Sequence, residues 1–493
     1  MKRKESLAAG IILVCSVVFR LLFISTRPIW YDEAFSLLLV EQPLPHLFRG
    51  LLGDVHPPGY YLSFWGWMRI FPKSILIARL LSVVFGVASI LVIYLIGAEL
   101  FSKKVGYTAA GLMAVAPFHV HYSQEIRMYT MLGFFLILAT YSMLKAIKTE
   151  KWFWWVSFAL SSTLAQYTHN LAIIYLAHLA LSPLFFRKKK FLIHTFVASL
   201  GSLLLYIPWL SHLLSQISKI SSINWTEKPT IARMFTTLLS YLSHLPIKNT
   251  LLPAVLFGVL LVTILTIWQT IRLSLGKEHE SWPVFWLAVL SFGPVFLLFG
   301  ISLWRPVFIE RAFLASGMMF LLWISWVFWR TNLPQIMQAL LALSVAGVMG
   351  SGLFQHYTYQ GFPYGPYRKL SSYFSGNLST GERVVHSNKL TMLPTYYHDP
   401  SIPQVYVDDP EGSDTDTLSD KSREVLGVIE KQNIQAAAGQ ADTIYFVIFS
   451  REISEVKEQG LKTHPYLLWL EENYRQVNLD IWQDIRVYKF RER

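Results

Sequence analysis

The sequence predicts an α-helical polytopic membrane protein of about eleven transmembrane helices, followed by a small soluble α/β domain. Three observations predict it. Of 493 residues, 53% are hydrophobic and only 15% charged, against roughly 25% charged in ordinary soluble domains. Apolar stretches close to the ~20 residues that cross a bilayer recur at 7–25, 76–100, 105–119, 129–147, 152–167, 170–186, 191–211, 251–271, 282–303, 312–329 and 334–353. Beyond residue 353 the charge density rises and short β-rich runs replace the long apolar ones.

The first stretch follows Lys2-Arg3-Lys4, like the basic start of a signal peptide, but runs on from Leu7 to Ser25 with no small-residue cleavage site. It therefore reads as an uncleaved first span. With its basic end in the cytoplasm and the spans alternating, the inside connections carry Lys103-Lys104, then Lys145, Lys148 and Lys151, then Arg187 to Lys190, then Arg272 and Lys277, then Arg330. Each is basic, as retention of Lys and Arg on the cytoplasmic side requires. The outer side then receives 26–75, 120–128, 167–170, 212–250, 304–311 and everything after 354. The expected location is the plasma membrane, with the N-terminus cytoplasmic and the tail extracytoplasmic.

Two domains follow: a membrane domain over 1–353, whose first outer loop spans 26–75, and an extracytoplasmic α/β domain over 354–493. In that loop Ala34–Val40 and Gly59–Phe71 read as short interfacial helices, the second rich in Tyr60, Tyr61, Phe64, Trp65 and Trp67. In the tail Val384–Val385, Gln404–Val407, Thr443–Phe449 and Ile485–Phe490 read as strands, Leu418–Gln432 and Ile453–Gly460 as helices. The net charge of +12 is dispersed between apolar spans, which fits topology signals and argues against a nucleic-acid partner. Cys15 is the sole cysteine, so an intrachain disulfide and a cysteine metal site are both excluded.

Three polar islands stand out at outer helix ends, where charge is costly and calls for a reason. Asp32-Glu33 follows the first span. Adjacent carboxylates disfavour each other's ionisation, which is one way to make a base; they also suit the first turn of a helix beginning near Ala34. His56-Pro57-Pro58 holds an imidazole on a rigid backbone, able to donate to phosphate oxygens or simply to start a helix. Ser123-Gln124-Glu125-Ile126-Arg127 puts Glu125 and Arg127 too close to face each other, so each needs a partner elsewhere. Arg127 suits a phosphate clamp and Glu125 can orient a base or a sugar hydroxyl; the alternative is an interfacial ion pair.

Arg305 and Arg311, flanking Glu310, offer a second phosphate clamp or plain interfacial anchoring. Tyr167-Thr168-His169-Asn170 is a tight polar turn, giving a substrate contact at His169 or only a turn. His56, His119, His121 and His169 can all approach one outer surface, so a divalent metal is conceivable there. No spacing forces one, and neither a metal nor any other cofactor is required.

Taken in order, Asp32-Glu33, His56-Pro57-Pro58 and Ser123-Gln124-Glu125-Ile126-Arg127-Met128-Tyr129 resemble glycosyltransferase family 39, the protein O-mannosyltransferase-like enzymes of the GT-C fold class. The resemblance covers 1–353 in organisation and is strongest over about 20–145. It implies a polyprenyl-phosphate sugar donor and a hydroxyl (or amine) acceptor on a lipid, protein or polysaccharide outside the cytoplasm. It also implies a catalytic group of Asp32 as base, Glu33 as its acidic partner and Glu125 as the second acid. His56, Arg127, Arg305 and Arg311 would bind the donor phosphate, and Tyr129 and His169 the substrate. At Arg311 the family's usual Arg-Tyr-Leu setting reads Arg-Ala-Phe.

The chemistry is coherent on its own terms. An acceptor hydroxyl needs a base as the glycosidic bond forms, cations stabilise the departing phosphate, and single displacement inverts the sugar carbon. A flippase or transporter of lipid-linked sugars is the alternative from another class, but such proteins carry repeats and midplane charges that this sequence does not display. An envelope glycan polymerase or ligase would share the chemistry with larger substrates.

Overall fold

The computed structural model describes all residues except 1, 223–227, 245, 276–280, 331–332 and 410–416. Lys277 of the topology argument thus lies outside the described residues, as do the side chains of Lys2, Arg3, Lys4 and Arg330. The chain divides into two compact units, one of 1–24, 56–221 and 226–358, the other built chiefly from 25–55 and 359–493. The loop 26–75 is accordingly split at Val55.

The first unit is helical. Seven described helices are long and apolar enough to cross a membrane: Ile75–Leu100, Tyr129–Thr149, Lys189–Leu213, Leu252–Leu273, Trp282–Trp304, Glu310–Trp329 and Gln335–Thr358. Four other expected spans differ from ideal for local reasons. Lys2–Leu21 carries Glu5 and Arg20. The stretch 105–119 breaks at Ala116, before Pro117, into Lys103–Val115 and Pro117–Ser123. Trp152–Thr168 is 17 residues long, and 170–186 divides into Ala172–Leu179 and Ser182–Phe185.

The break at Pro117 is repaired by a distant residue. Proline has no N–H, so carbonyls at the end of the preceding helix lose their intrahelical donor. Fully buried Arg20 fills the gap, donating to the carbonyls of Ala114 at 3.0 Å and Met113 at 3.2 Å. The same guanidinium reaches Ser123 Oγ at 3.2 Å and His119 Nδ1 at 2.8 Å, tying the first helix to the short one. Gly86 permits this, since a Cβ there would lie 2.3 Å from Ser123 Oγ.

The second unit is built on a six-stranded sheet ordered β3-β2-β1-β4-β6-β5, with β1 Glu382–His386, β2 Gln404–Val407, β3 Glu430–Lys431, β4 Thr443–Phe449, β5 Tyr474–Trp482 and β6 Ile485–Glu492. The first four strands in that order are parallel, and β6 and β5 add antiparallel. Period-two alternation sends Ile444, Phe446 and Ile448 of β4 to one core and Tyr445, Val447 and Phe449 to the other, so both faces are covered. All four expected strands form. The expected helix 418–432 is instead Asp420–Leu426, stopped by Gly427 at φ +69°, followed by β3. Helices Tyr31–Glu41 and Leu44–Gly53 belong to this unit, the first against Lys389–His398 and the second against Asp420–Leu426.

Candidate active site

The turn 124–128 links helices Pro117–Ser123 and Tyr129–Thr149 and holds two buried opposite charges, Glu125 and Arg127. An irregular backbone inside an apolar bundle needs partners for its polar groups. Ser82 Oγ donates to the carbonyls of Glu125 at 2.6 Å and Arg127 at 3.3 Å. Gln124 Nε2 donates to the carbonyls of Arg20 at 3.0 Å and Leu22 at 2.8 Å, at the end of the first helix. These bonds fix where the two charged side chains point.

As the spacing requires, they have different partners. Glu125 Oε1 lies 3.0 Å from His121 Nε2. Arg127 donates to Tyr61 Oη at 3.3 Å, and its other terminal nitrogen stands 3.5 Å from His56 Nε2. A guanidinium only donates, so His56 Nε2 faces it as an acceptor and the neutral ring keeps its hydrogen on Nδ1. The His56-Pro57-Pro58 segment sits close to another turn: a Cβ on Gly59 would lie 2.6 Å from the Tyr167 carbonyl oxygen. The His56 carbonyl accepts from Gln216 at 3.4 Å, and Gln216 accepts from Asn170 at 3.0 Å.

A line of rings continues from there. His56 meets His169 edge-on with centroids 5.5 Å apart, and His169 lies 6.1 Å from the ring of Tyr129. The Arg311 guanidinium sits over the Tyr129 ring at 5.2 Å, a cation–π distance. Arg127 and Arg311 thus stand at the two ends of His56, His169 and Tyr129. Five residues singled out in the sequence are joined by contact in one unit.

The remaining candidates have settings of their own. Asp32 and Glu33 occupy the first turn of Tyr31–Glu41 in the second unit, where negative charge suits the helix end; Glu33 is buried and Asp32 half-buried. Burial, with the Asp32 charge beside it, holds the Tyr31 hydroxyl well above the usual tyrosine range. Arg305 is exposed, 5.9 Å from the ring of Trp304, as an anchoring residue would be, and Glu310 pairs with Arg233 at 2.8 Å. The four histidines expected on one surface divide: His56 and His169 pair, His119 turns to Arg20, and His121 meets His244 and His356. Arg20, Gln216, His244 and His356 carried no local signal, and Tyr61 only that of an interfacial aromatic, because only the packed chain brings them here.

The chain matches a family model described as dolichyl-phosphate-mannose-protein mannosyltransferase over residues 55–212, which include His56, Glu125, Arg127, Tyr129 and His169. No curated protein sequence matches it. Among solved structures it is similar to ArnT from Cupriavidus metallidurans bound to undecaprenyl phosphate, at a TM-score of 0.60 and 10% identity, covering 98% of this chain and 97% of that one. It is also similar to the Archaeoglobus fulgidus oligosaccharyltransferase in complex with zinc and sulfate, at 0.54 and 13%, covering 97% and 73%. The chain has the GT-C fold. The resemblance read from the motifs is borne out by the family match over 55–212 and by this fold.

Proposed function

We propose that this protein is a membrane glycosyltransferase that moves a sugar from a polyprenyl phosphate to a hydroxyl on an extracytoplasmic lipid, protein or polysaccharide. The observation that carries the reading is the line Arg127, His56, His169, Tyr129, Arg311, with a guanidinium at each end, four of its five members inside the matched segment. Two arginines suit the phosphate of a lipid-linked donor, because a guanidinium keeps its charge and binds phosphate oxygens in pairs. ArnT was crystallised with undecaprenyl phosphate and the oligosaccharyltransferase AglB with a dolichol-phosphate, which supports the same donor class.

In the proposed reaction the acceptor oxygen attacks the anomeric carbon as its bond to the phosphate oxygen breaks. Asp32 takes the hydroxyl proton, with Glu33 beside it, and the configuration inverts. Arg127 and Arg311 stabilise the charge left on the prenyl phosphate, His56 donates through Nδ1–H, and Glu125 orients through His121. The basic connections between spans support a plasma-membrane orientation with the N-terminus inside and the reaction outside.

The deciding experiment offers reconstituted protein a panel of prenyl-phosphate sugars with crude envelope acceptors and follows release of free prenyl phosphate. Release with one donor and incorporation of its sugar is the expected result. Intact donor across the panel, from protein that still binds prenyl phosphate, refutes the transferase and favours a carrier.

A further inference from the structure

Three histidines remote in sequence meet in the first unit. His121 is on Pro117–Ser123, His244 follows Ile231–Leu242, and His356 is in the last turn of Gln335–Thr358. One ring nitrogen of each lies within 4.8 Å of the other two. His244 stacks on His121 with centroids 3.7 Å apart, and His356 meets His121 edge-on at 5.2 Å.

Their neighbours decide where the ring hydrogens are. The Gln124 amide nitrogen is committed to the carbonyls of Arg20 and Leu22, so its oxygen is the atom 2.8 Å from His356 Nε2. An amide oxygen only accepts, which puts the His356 hydrogen on Nε2. The Glu125 carboxylate at 3.0 Å does the same for His121 Nε2. In the neutral rings both Nδ1 atoms are then lone pairs, and they face each other at 3.3 Å. Two lone pairs at that distance repel unless a positive species joins them.

We propose that His121, His244 and His356 bind a divalent transition metal of zinc-like geometry, with Glu125 and Gln124 fixing the tautomers from behind. The 3.3 Å separation of the two Nδ1 atoms matches the edge of a tetrahedron with metal–nitrogen bonds of about 2.0–2.1 Å. A carboxylate or carbonyl behind each ligating imidazole is the usual outer arrangement of such sites. A shared proton would join only His121 and His356, whereas an ion also uses the third imidazole. Because a ligand lone pair lies in the ring plane, His244 swings off its stack on His121 to coordinate. The bound ion would join the short helix, the link after Ile231–Leu242 and the end of the last long helix, leaving a fourth position for water or an anion. The site shares His121 and Glu125 with the transferase reading, but metal is read on the protein without any sugar, so the two are tested separately.

The test uses full-length protein purified without a histidine tag, stripped by chelator and titrated with Zn2+ and with Co2+, following metal content and Co2+ visible absorption. One equivalent with the intense bands of tetrahedral Co2+ is expected. Affinity should fall roughly tenfold or more in His244→Asn and His356→Gln, but not in His46→Asn at an exposed position in the other unit. Thermal melting without metal shows whether each variant folds, and half-buried His244 gives a second variant should His356→Gln fail. Less than one equivalent in folded wild type, or equal affinity in wild type and a folded variant, overturns the site and leaves a shared proton between His121 and His356. Metal binding without sugar transfer would refute only the transferase, and transfer without metal binding only this site.

Discussion

Arg127 and His56, 71 residues apart in sequence, face each other across 3.5 Å between Nη2 and Nε2. At that separation the hydrogen bond is weak, and the same guanidinium is only 3.3 Å from Tyr61 Oη. The guanidinium carries five donors in a planar fork, a geometry that suits phosphate oxygens.

Arg127→Ala should therefore weaken prenyl-phosphate binding by roughly tenfold to a hundredfold, the scale of a charge-assisted hydrogen bond of about 1.5–3 kcal/mol. Arg127→Lys should recover little of it, because a point charge does not reproduce the planar fork. Binding of labelled prenyl phosphate to reconstituted protein measures both. Wild-type affinity in the alanine variant removes Arg127 from the clamp.

The two late arginines should separate. Arg311, over the Tyr129 ring, is expected to match Arg127 in its effect on donor affinity, whereas Arg305→Ala at its exposed position should change it less than about threefold. Equal losses in Arg311→Ala and Arg305→Ala would give the two arginines the same role.

Asp32→Asn should lower transfer by about a hundredfold or more while prenyl-phosphate affinity stays near wild type, since only proton abstraction is lost. Single-turnover transfer alongside donor binding distinguishes the outcomes. Near-normal transfer would take the base role away from Asp32.

Gly86→Ala should destabilise the protein by about 1–3 kcal/mol. The new Cβ would lie 2.3 Å from Ser123 Oγ and 3.0 Å from Ser123 Cβ, at the root of the turn that carries Glu125 and Arg127. Thermal melting should show the loss, and donor affinity should fall with it; an unchanged melt would mean that the turn is less tightly seated than its contacts imply.

The second unit should lose stability in acid. Burial pushes the imidazole of His386 down to about 3 and that of His398 down to about 4, the latter helped by Arg368, from an ordinary 6.5. The unfolded chain then binds protons that the folded one refuses. Stability is full above about pH 6.5 and declines as pH falls toward those lower values, by up to about 1.4 kcal/mol per pH unit for each group. Melting between about pH 7 and about pH 5 should show the decline, and His386→Gln should flatten it. An identical slope in the variant would exclude His386 as a source.

Much of this molecule was legible in its sequence. Apolar run length marked the long helices, and short runs rich in β-branched and aromatic residues marked β1, β2, β4 and β6, because burial preferences are written residue by residue. The motifs His56-Pro57-Pro58 and Ser123–Tyr129 were visible because each packs its polar groups into a few consecutive positions. What local reading overestimated was span length: Pro117, and the break between Ala172–Leu179 and Ser182–Phe185, interrupt helices whose composition alone suggested continuity. Beyond reach was pairing at a distance. That Arg20 caps the carbonyls before Pro117, that Gln124 orients His356, and that His121 turns away from His56 toward His244 are outcomes of packing. Composition and periodicity follow from each residue's own transfer energy, and so one chain suffices to read them. Which buried polar groups satisfy one another depends on which helices touch, and that was decided only when the bundle closed.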